Sequence, residues 1–318
     1  MKFTEEQLRR YSAPLSDTEE QKCKNVIAMV RDALKDVGFT DDNNVIKTMY
    51  EHTYAYSVKM RSLYDTHQIR LFLMGSYANN TNIRTQSDVD IAVVQEDLFI
   101  TEYREGITDA DYGFNTISKK FSFKNEVQKA LENKFGSDIE RKNKSIKIHG
   151  NNYRKDADSV PCQRFRDYRN DFIINKNNYV GGIVIYPDIG DKIINYPEQH
   201  IINGRQKNND TNYYYKKMVR IIKNMRVLME ENNYTSALKI SSFGLESLLW
   251  NIPNNVYKMY TIYRCAFGEI VKYIYSNTKY LQLYKEANGI KELCPTQTEV
   301  KDYGLFINEL YNFYEYDI

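Results

Sequence analysis

The sequence predicts an α+β protein whose C-terminal part is a separate helical layer. Three observations carry that prediction. Residues 5 to 65 show helical spacing with cap signals. Residues 69 to 195 break into short apolar runs of strand length, divided by turn residues. After about residue 210, four segments again have the length and period of helices. No Pro/Gly/Ser-rich linker separates these regions. The expected organisation is therefore a core with a mixed or antiparallel sheet and N-terminal helices over 1–210, packed on a helical domain over 211–318, with a cleft between them. A chain of 318 residues is long enough to bury a sizeable core in that arrangement.

Taken in order, Ser16 and Glu19 form a capping box, and Cys23, Val26, Ile27, Val30 and Leu34 follow at helical spacing. Gly38 offers a stop, and a second helix is expected from Asp41-Asp42 to about Tyr64. Residues 69–74 form an apolar strand ending at Gly75, and 88–94 a second strand, joined by an Asn/Thr-rich connection. Residues 110–135 read as a helix. Strands are expected at 144–149, 153–160 and 163–168, with Pro161 dividing the last two, and a hairpin at 180–186 and 191–195. The C-terminal helices fall at 212–231, 237–251, 259–276 and 298–314.

Composition narrows the class. With 42% hydrophobic and 27% charged residues the chain is globular rather than disordered. A formal net charge of +2 gives no global basic field of the kind that binds long nucleic acid. Cys23, Cys162, Cys265 and Cys294 are scattered, with no C-x-x-C pair, so a zinc site is not expected and free thiols are. The N-terminus is polar and acidic, and no apolar run approaches a membrane span, which reads as a cytoplasmic chain with no membrane partner. The histidines (His52, His67, His149 and His200) show no metal-ligand spacing and read as ordinary residues.

Two short motifs carry chemistry. In Asp88-Val89-Asp90, strand periodicity puts both carboxylates on one face and Val89 and Ile91 on the other. Adjacent carboxylates raise one another's pKa unless a cation sits with them, so the pair suits magnesium; a solvated strand edge is the other reading. Gly75-Ser76 follows an apolar strand and precedes a short helical stretch, Tyr77 to Asn80. A glycine there admits a phosphate close to the backbone, and the serine hydroxyl can bind it; a plain turn is the alternative. The order strand, Gly-Ser, loop, Asp-x-Asp on a strand is far more specific than either piece.

Met74-Gly75-Ser76-Tyr77-Ala78 followed by Ser87-Asp88-Val89-Asp90-Ile91 resembles the signature of the polymerase-beta-like nucleotidyltransferases. Asp158-Ser159-Val160-Pro161 is similar to the third-acid element of the cGAS/DncV-like branch, with Asp156 on the same strand face as second choice. Ser159 departs from the apolar residue usual there. Segments 195–201, 219–226 and 242–253 also resemble that branch, so the likeness spans roughly 65–255. It implies Asp88, Asp90 and Asp158 as catalytic acids and ligands of Mg2+, with Mn2+ as substitute. It implies that Gly75, Ser76, Lys223 and Ser242 hold a triphosphate and that Phe243 stacks on a base; a core aromatic is the other reading of Phe243. Lys216, Arg220 and Lys223 make a basic stripe, which without the resemblance is a solvated helix face.

The function so implied joins NTPs into a cyclic di- or trinucleotide, releases pyrophosphate, and signals to an effector protein in antiphage defence (CBASS). A nucleotidyltransferase acting on a small molecule or RNA, and a non-catalytic nucleotide-binding module, are the alternatives; the presence of all three acids weighs against the last.

Overall fold

The computed structural model describes residues 3–42, 46–51, 53–83, 88–114 and 123–314. In chain order the helices are α1 (Glu5–Tyr11), α2 (Asp17–Lys35), α3 (Gly75–Ala78), α4 (Phe123–Phe135), α5 (Pro197–Asp210), α6 (Tyr215–Glu231), α7 (Ser242–Trp250), α8 (Asn254–Tyr257), α9 (Tyr263–Ser276) and α10 (Gln297–Tyr314). The strands are β1 (Phe39–Asp41), β2 (Lys47–Thr48), β3 (Tyr56–Ser62), β4 (Gln68–Met74), β5 (Val89–Glu102), β6 (Ile139–Arg141), β7 (Ile146–Ile148), β8 (Ala157–Asp167), β9 (Val180–Ile185) and β10 (Ile193–Asn195). The chain divides into two compact units. One comprises 17–74 and 88–198 and holds the sheet. The other comprises 1–16, 75–87 and 199–318. The expected partition at 210 does not anticipate that the first residues and 75–87 group with the C-terminal helices.

The sheet is mixed, in the order β1-β3-β4-β5-β8-β7-β6, with β9 also on β8 and β10 on β9. Its central pair, β5 and β8, runs parallel; its other pairings are antiparallel. A parallel pair needs a long crossover, and residues 103–156 supply it, including α4 and the β6–β7 hairpin. On one face Phe72, Ala92, Val94, Val160, Cys162, Ile183 and Ile185 form an apolar cluster. The alternate residues Leu71, Leu73, Val89, Ile91 and Val93 are fully buried on the other face.

Several expectations are corrected. The helix expected over 41–64 is strand instead, at β1, β2 and β3. Tyr56, Val58 and Met60 are buried and alternate with more exposed residues, a period of two that Arg, Lys and Ser neighbours obscured. Residues 43–45 and 52 of that segment, including His52, lie outside the described residues, as do 84–87 (with Ser87) and 115–122. Of the helix expected over 110–135, residues 123–135 are α4, whereas 110–113 form a turn. The two strands divided by Pro161 are one strand, β8. On one side it pairs with β5 throughout. On the other it pairs with β7 over 157–159 and with β9 over 162–167. Pro161, which has no N–H to donate, falls in the interval between those partners. The helix α5 was not expected, because Ile201 is its one fully buried apolar side chain; Pro197 at its first position was the available signal.

In the helical unit, Met218, Val219, Ile221, Ile222 and Met225 of α6 meet Leu245, Leu248 and Leu249 of α7, Phe267 and Ile270 of α9, and Phe306, Ile307 and Leu310 of α10 in one core. The N-terminal segment joins it: Phe3 stacks on Tyr314 with ring centroids 5.7 Å apart. All four cysteines are free thiols, and no described helix is long and apolar enough to cross a membrane.

Ser159 stands where the resemblance expects an apolar residue, and nothing in the structure explains the departure. It is fully buried, in register with Ile91 on one side and Ile146 on the other, and its hydroxyl has no hydrogen-bond partner among the described residues. An unsatisfied buried hydroxyl costs about 1–3 kcal/mol. Ser159→Ala should therefore raise stability by about 1 kcal/mol, read as a higher urea midpoint at unchanged slope.

Candidate active site

Strand register gathers the acids of the sheet unit. Asp90 lies opposite Met74 of β4 on one side and opposite Asp158 of β8 on the other, and Asp158 lies opposite Lys147 of β7. Asp88, two residues before Asp90, accepts a hydrogen bond from Lys147 Nζ at 2.9 Å. Ser145 Oγ donates to Asp158 Oδ1 at 2.9 Å. Among the described residues no donor reaches the Asp90 carboxylate. Burial first, then the charges of Asp158 and Asp88, push its pKa up to about 7. Asp156 is occupied differently, accepting the Gly150 N–H at 2.7 Å. The register thus puts Asp158, and not Asp156, beside Asp90. Lys147 and Ser145 were not singled out from the sequence; the strand at 144–149 was expected, but its alignment with Asp158 needs the fold.

These oxygens fit a hard divalent cation. They are carboxylates, and among the described residues one is crowded and has no donor, and only Asp88 has a cationic partner. Among the described residues no three acidic, histidine or cysteine groups form a ready-made metal cage. Magnesium does not require one, since it is held by one or two carboxylates together with substrate phosphates.

Gly75 and Ser76 open α3, in the helical unit. Gly75 has φ +66°, a conformation that costs a residue with a side chain. The Ser76 hydroxyl has no hydrogen bond among the described residues. The turn is fixed from behind: Asn79 Nδ2 donates to Gly75 O at 3.1 Å and the Thr81 N–H to Ser76 O at 2.8 Å. Thr81 Oγ1 donates to Glu246 Oε2 at 2.7 Å, His200 Nε2 lies 2.9 Å from Glu246 Oε1, and Lys223 Nζ lies 3.3 Å from Glu246 Oε2 and donates to Thr81 O at 2.9 Å. His200 and Glu246 are thus parts of the support under the Gly75-Ser76 turn. His200 had been read as an ordinary residue and Glu246 not singled out, because only the fold shows that both are buried.

The basic stripe of α6 is not a solvated face. Lys216, Arg220 and Lys223 are 6%, 4% and 1% exposed. Arg220 Nε donates to Ser12 O at 2.7 Å, and its guanidinium also reaches Asn80 O. The Lys223 ammonium is committed to Thr81 and Glu246. Ser242 is the first residue of α7, and Arg226 donates to its hydroxyl at 3.2 Å; the cap itself is Ser241, whose hydroxyl accepts from the Gly244 N–H at 2.9 Å. Phe243 is 36% exposed, so it is not a core aromatic, and its ring meets the His200 imidazole edge-on at 4.9 Å.

A family model of the cGAS/DncV-like nucleotidyltransferase C-terminal helical domain matches residues 202–315, and a model of the nucleotidyltransferase domain matches 57–177. A cyclic GMP-AMP synthase of Staphylococcus schleiferi, CdnE03, is 45% identical over 318 residues, spanning 99% of this chain and 98% of the relative. The chain belongs to the cGAS/DncV-like nucleotidyltransferases. It is an enzyme of the nucleotidyltransferase class, with the nucleotidyltransferase domain and C-terminal helical domain of that family. The similarity extends well beyond the 65–255 span that its motifs alone suggest. Among solved members of the family, the Elizabethkingia meningoseptica CdnE cyclic dinucleotide synthase with GTP and Apcpp matches with a TM-score of 0.72 and 30% identity, over 99% of this chain and 100% of that one. The Rhodothermus marinus CdnE c-UMP-AMP synthase with Apcpp and Upnpp shares the fold, with a TM-score of 0.75 at 23% identity over 99% of both chains.

The Glu246 network sets a pH dependence. Lys223, His200 and Thr81 overcome burial and hold the Glu246 carboxyl down at about 2, against 4.5 ordinarily. A depressed carboxyl pKa contributes stability that is present above the unfolded value and is lost as pH falls through the folded one. Stability should therefore drop between about pH 4.5 and 2. Glu246→Gln should be less stable at pH 7 and show a shallower decline across that window, measured as urea midpoint against pH.

Proposed function

We propose that this enzyme joins nucleoside triphosphates into a cyclic di- or trinucleotide with release of pyrophosphate, and that the product signals to an effector in antiphage defence. The observation that carries the nucleotidyl-transfer chemistry is the row of Asp90 and Asp158 in register, with Asp88 held at its edge by Lys147. The cyclic product is supported by the relatives, whose names are those of cyclic GMP-AMP and cyclic dinucleotide synthases.

Asp88, Asp90 and Asp158 would hold divalent ions, Mg2+ first and Mn2+ as substitute. Such ions, when bound, stabilise charge on the attacking and leaving oxygens of an in-line displacement. The protein's own contributions are positional. Asp90, whose carboxyl pKa burial and the neighbouring aspartates raise to about 7, would be one of the ligands of such a cation. Lys147 orients Asp88 through its 2.9 Å hydrogen bond. Ser145 fixes one oxygen of Asp158. Gly75 and the Ser76 hydroxyl bind a phosphate, Ser242 assists, and Phe243 offers a ring to a base. Lys223, which the resemblance places on the triphosphate, supports that turn from behind.

The test is direct. The pure protein is incubated with all four NTPs and Mg2+, without nucleic acid, and products are read by mass spectrometry. A phosphatase-resistant cyclic oligonucleotide is expected. Failure to form one under every metal and activator condition counts against the reading.

Asp90→Asn separates the metal site from the fold. Turnover should fall at least a hundredfold while the variant stays folded. A raised carboxyl pKa gives stability that is present below the unfolded value, about 3.8, and is lost as pH rises through about 7. Metal-free Asp90→Asn should therefore equal or exceed wild type in Tm at pH 8, and the gap should close in acid. Near-wild-type turnover would remove Asp90 from the metal site.

A further inference from the structure

Within the sheet unit, Lys147, Asp158 and Asp90 stand side by side in register along β7, β8 and β5. The cross-strand neighbour of Lys147 is therefore Asp158, yet its ammonium goes elsewhere. Lys147 Nζ lies 2.9 Å from Oδ2 of Asp88, at the start of the second strand over. Neighbouring strands are about 4.8 Å apart, so the side chain crosses the breadth of β8 to reach it. The Asp158 carboxylate that it passes accepts from Ser145 Oγ instead. The charges of Asp88, Asp156 and Asp158 all act on the ammonium and help to keep it protonated.

This contact is not built to hold the fold. Among the described residues Asp88 is the one hydrogen-bond partner of the Lys147 ammonium. The two side chains are 24% and 36% exposed, so water reaches the pair and screens it. An ion pair of that kind contributes only about 0–1 kcal/mol. Lys124, in the same unit, is the contrasting case. It is buried, and its ammonium donates to the carbonyls of Lys142 and Asn143 and to Asp188. Lys124 is locked in place, whereas Lys147 is held by a single contact that opens at little cost. That contact ties up one of the carboxylates that fit a divalent ion.

We propose that Lys147 is an internal counter-ion of Asp88 that an entering metal ion has to displace, and that it thereby weakens the hold of the acids on a free divalent ion. This rests on the reading that Asp88, Asp90 and Asp158 are the ligands of the metal. An ammonium and a divalent ion at one carboxylate repel each other. The pair therefore has to open before Asp88 serves the metal, and its opening is subtracted from the affinity. Lys147 acts through Asp88 and is a positioning residue. A residue that only shaped the site would, once removed, leave metal binding weaker or unchanged. A counter-ion, once removed, leaves it stronger.

The experiment is a Mn2+ titration of the full chain without nucleotide, in which the electron paramagnetic resonance signal of the free ion reports how much is bound. Lys147→Met should bind Mn2+ about tenfold more tightly than wild type. Lys147→Arg, which keeps the charge, should bind as wild type does. If Lys147→Met misfolds, Lys147→Gln replaces it in the same titration. Binding in the Met or Gln variant that is equal to or weaker than that of wild type overturns the proposal. So does a Lys147→Arg variant that gains as much as Lys147→Met, and so does an absence of binding in every protein. Asp90→Asn, alone and combined with Lys147→Met, separates this inference from the reading beneath it. If Asp90→Asn weakens Mn2+ binding and Lys147→Met does not strengthen it, the counter-ion role alone fails. If Asp90→Asn leaves binding untouched in both backgrounds, the ion is not on these acids and the metal assignment falls as well. The titration needs no turnover, so a failure to make a cyclic product is judged separately.

Discussion

The parallel pairing of β5 with β8 is the constraint on which the catalytic unit depends. Side chains in register on paired strands share a face, so Asp90 and Asp158 become neighbours although 67 residues separate them in the chain. The same pairing forces the crossover through α4 and the β6–β7 hairpin. That hairpin lays β7 on the far side of β8 and brings Lys147 opposite Asp158, within 2.9 Å of Asp88. Shifting the register by one residue would turn the acids to the apolar face and Val89 and Ile91 out of it. The fully buried aliphatic residues behind the acids are what prevent such a slip.

The helical unit solves a different problem. The Gly75-Ser76 turn takes a backbone conformation that a side chain would oppose, and the four-residue helix it opens is too short to hold itself. Its stability comes from Glu246, a carboxylate buried at 1% exposure and kept ionised by Lys223, His200 and Thr81. Removing one partner from such a network leaves a buried charge unpaired, which is why each member matters beyond its own hydrogen bond.

The acids and the Gly-Ser turn were legible in the sequence because they are local. Two carboxylates at a spacing of two need only a strand to share a face, and a glycine after an apolar run needs only the strand to end. Register was not legible. Lys147 and Ser145 belong to the site through their alignment with Asp158, which no spacing along the chain encodes. The strands at 39–62 were hidden because their alternation is interrupted by charged residues. The helix 197–210 was hidden because it buries almost nothing apolar. The basic stripe on α6 was visible, but its sense was not. Spacing cannot tell a solvated face from a buried one, and here Arg220 and Lys223 of that stripe turn inward to backbone carbonyls and to one carboxylate.

The two units, taken separately, carry opposite charge excesses. In the sheet unit Asp88, Asp90 and Asp158 have one ammonium beside them among the described residues, Lys147, and burial together with the neighbouring carboxylates raises the pKa of Asp90 to about 7. In the helical unit four buried cations of α6 share one deeply buried carboxylate among the described residues, and Arg220, Lys223 and Arg226 turn to backbone carbonyls as well. A protein built only for stability would have replaced either excess by apolar side chains of similar volume, which cores accept readily. In the sheet unit the excess is explicable as a cation site: a divalent ion would supply the positive charge that Asp88, Asp90 and Asp158 lack, and the stability forgone without it would return as binding energy for the ion. In the helical unit the cations hold the carbonyls behind the Gly75-Ser76 turn, Arg220 at Asn80 and Lys223 at Thr81, so their cost is the cost of that turn.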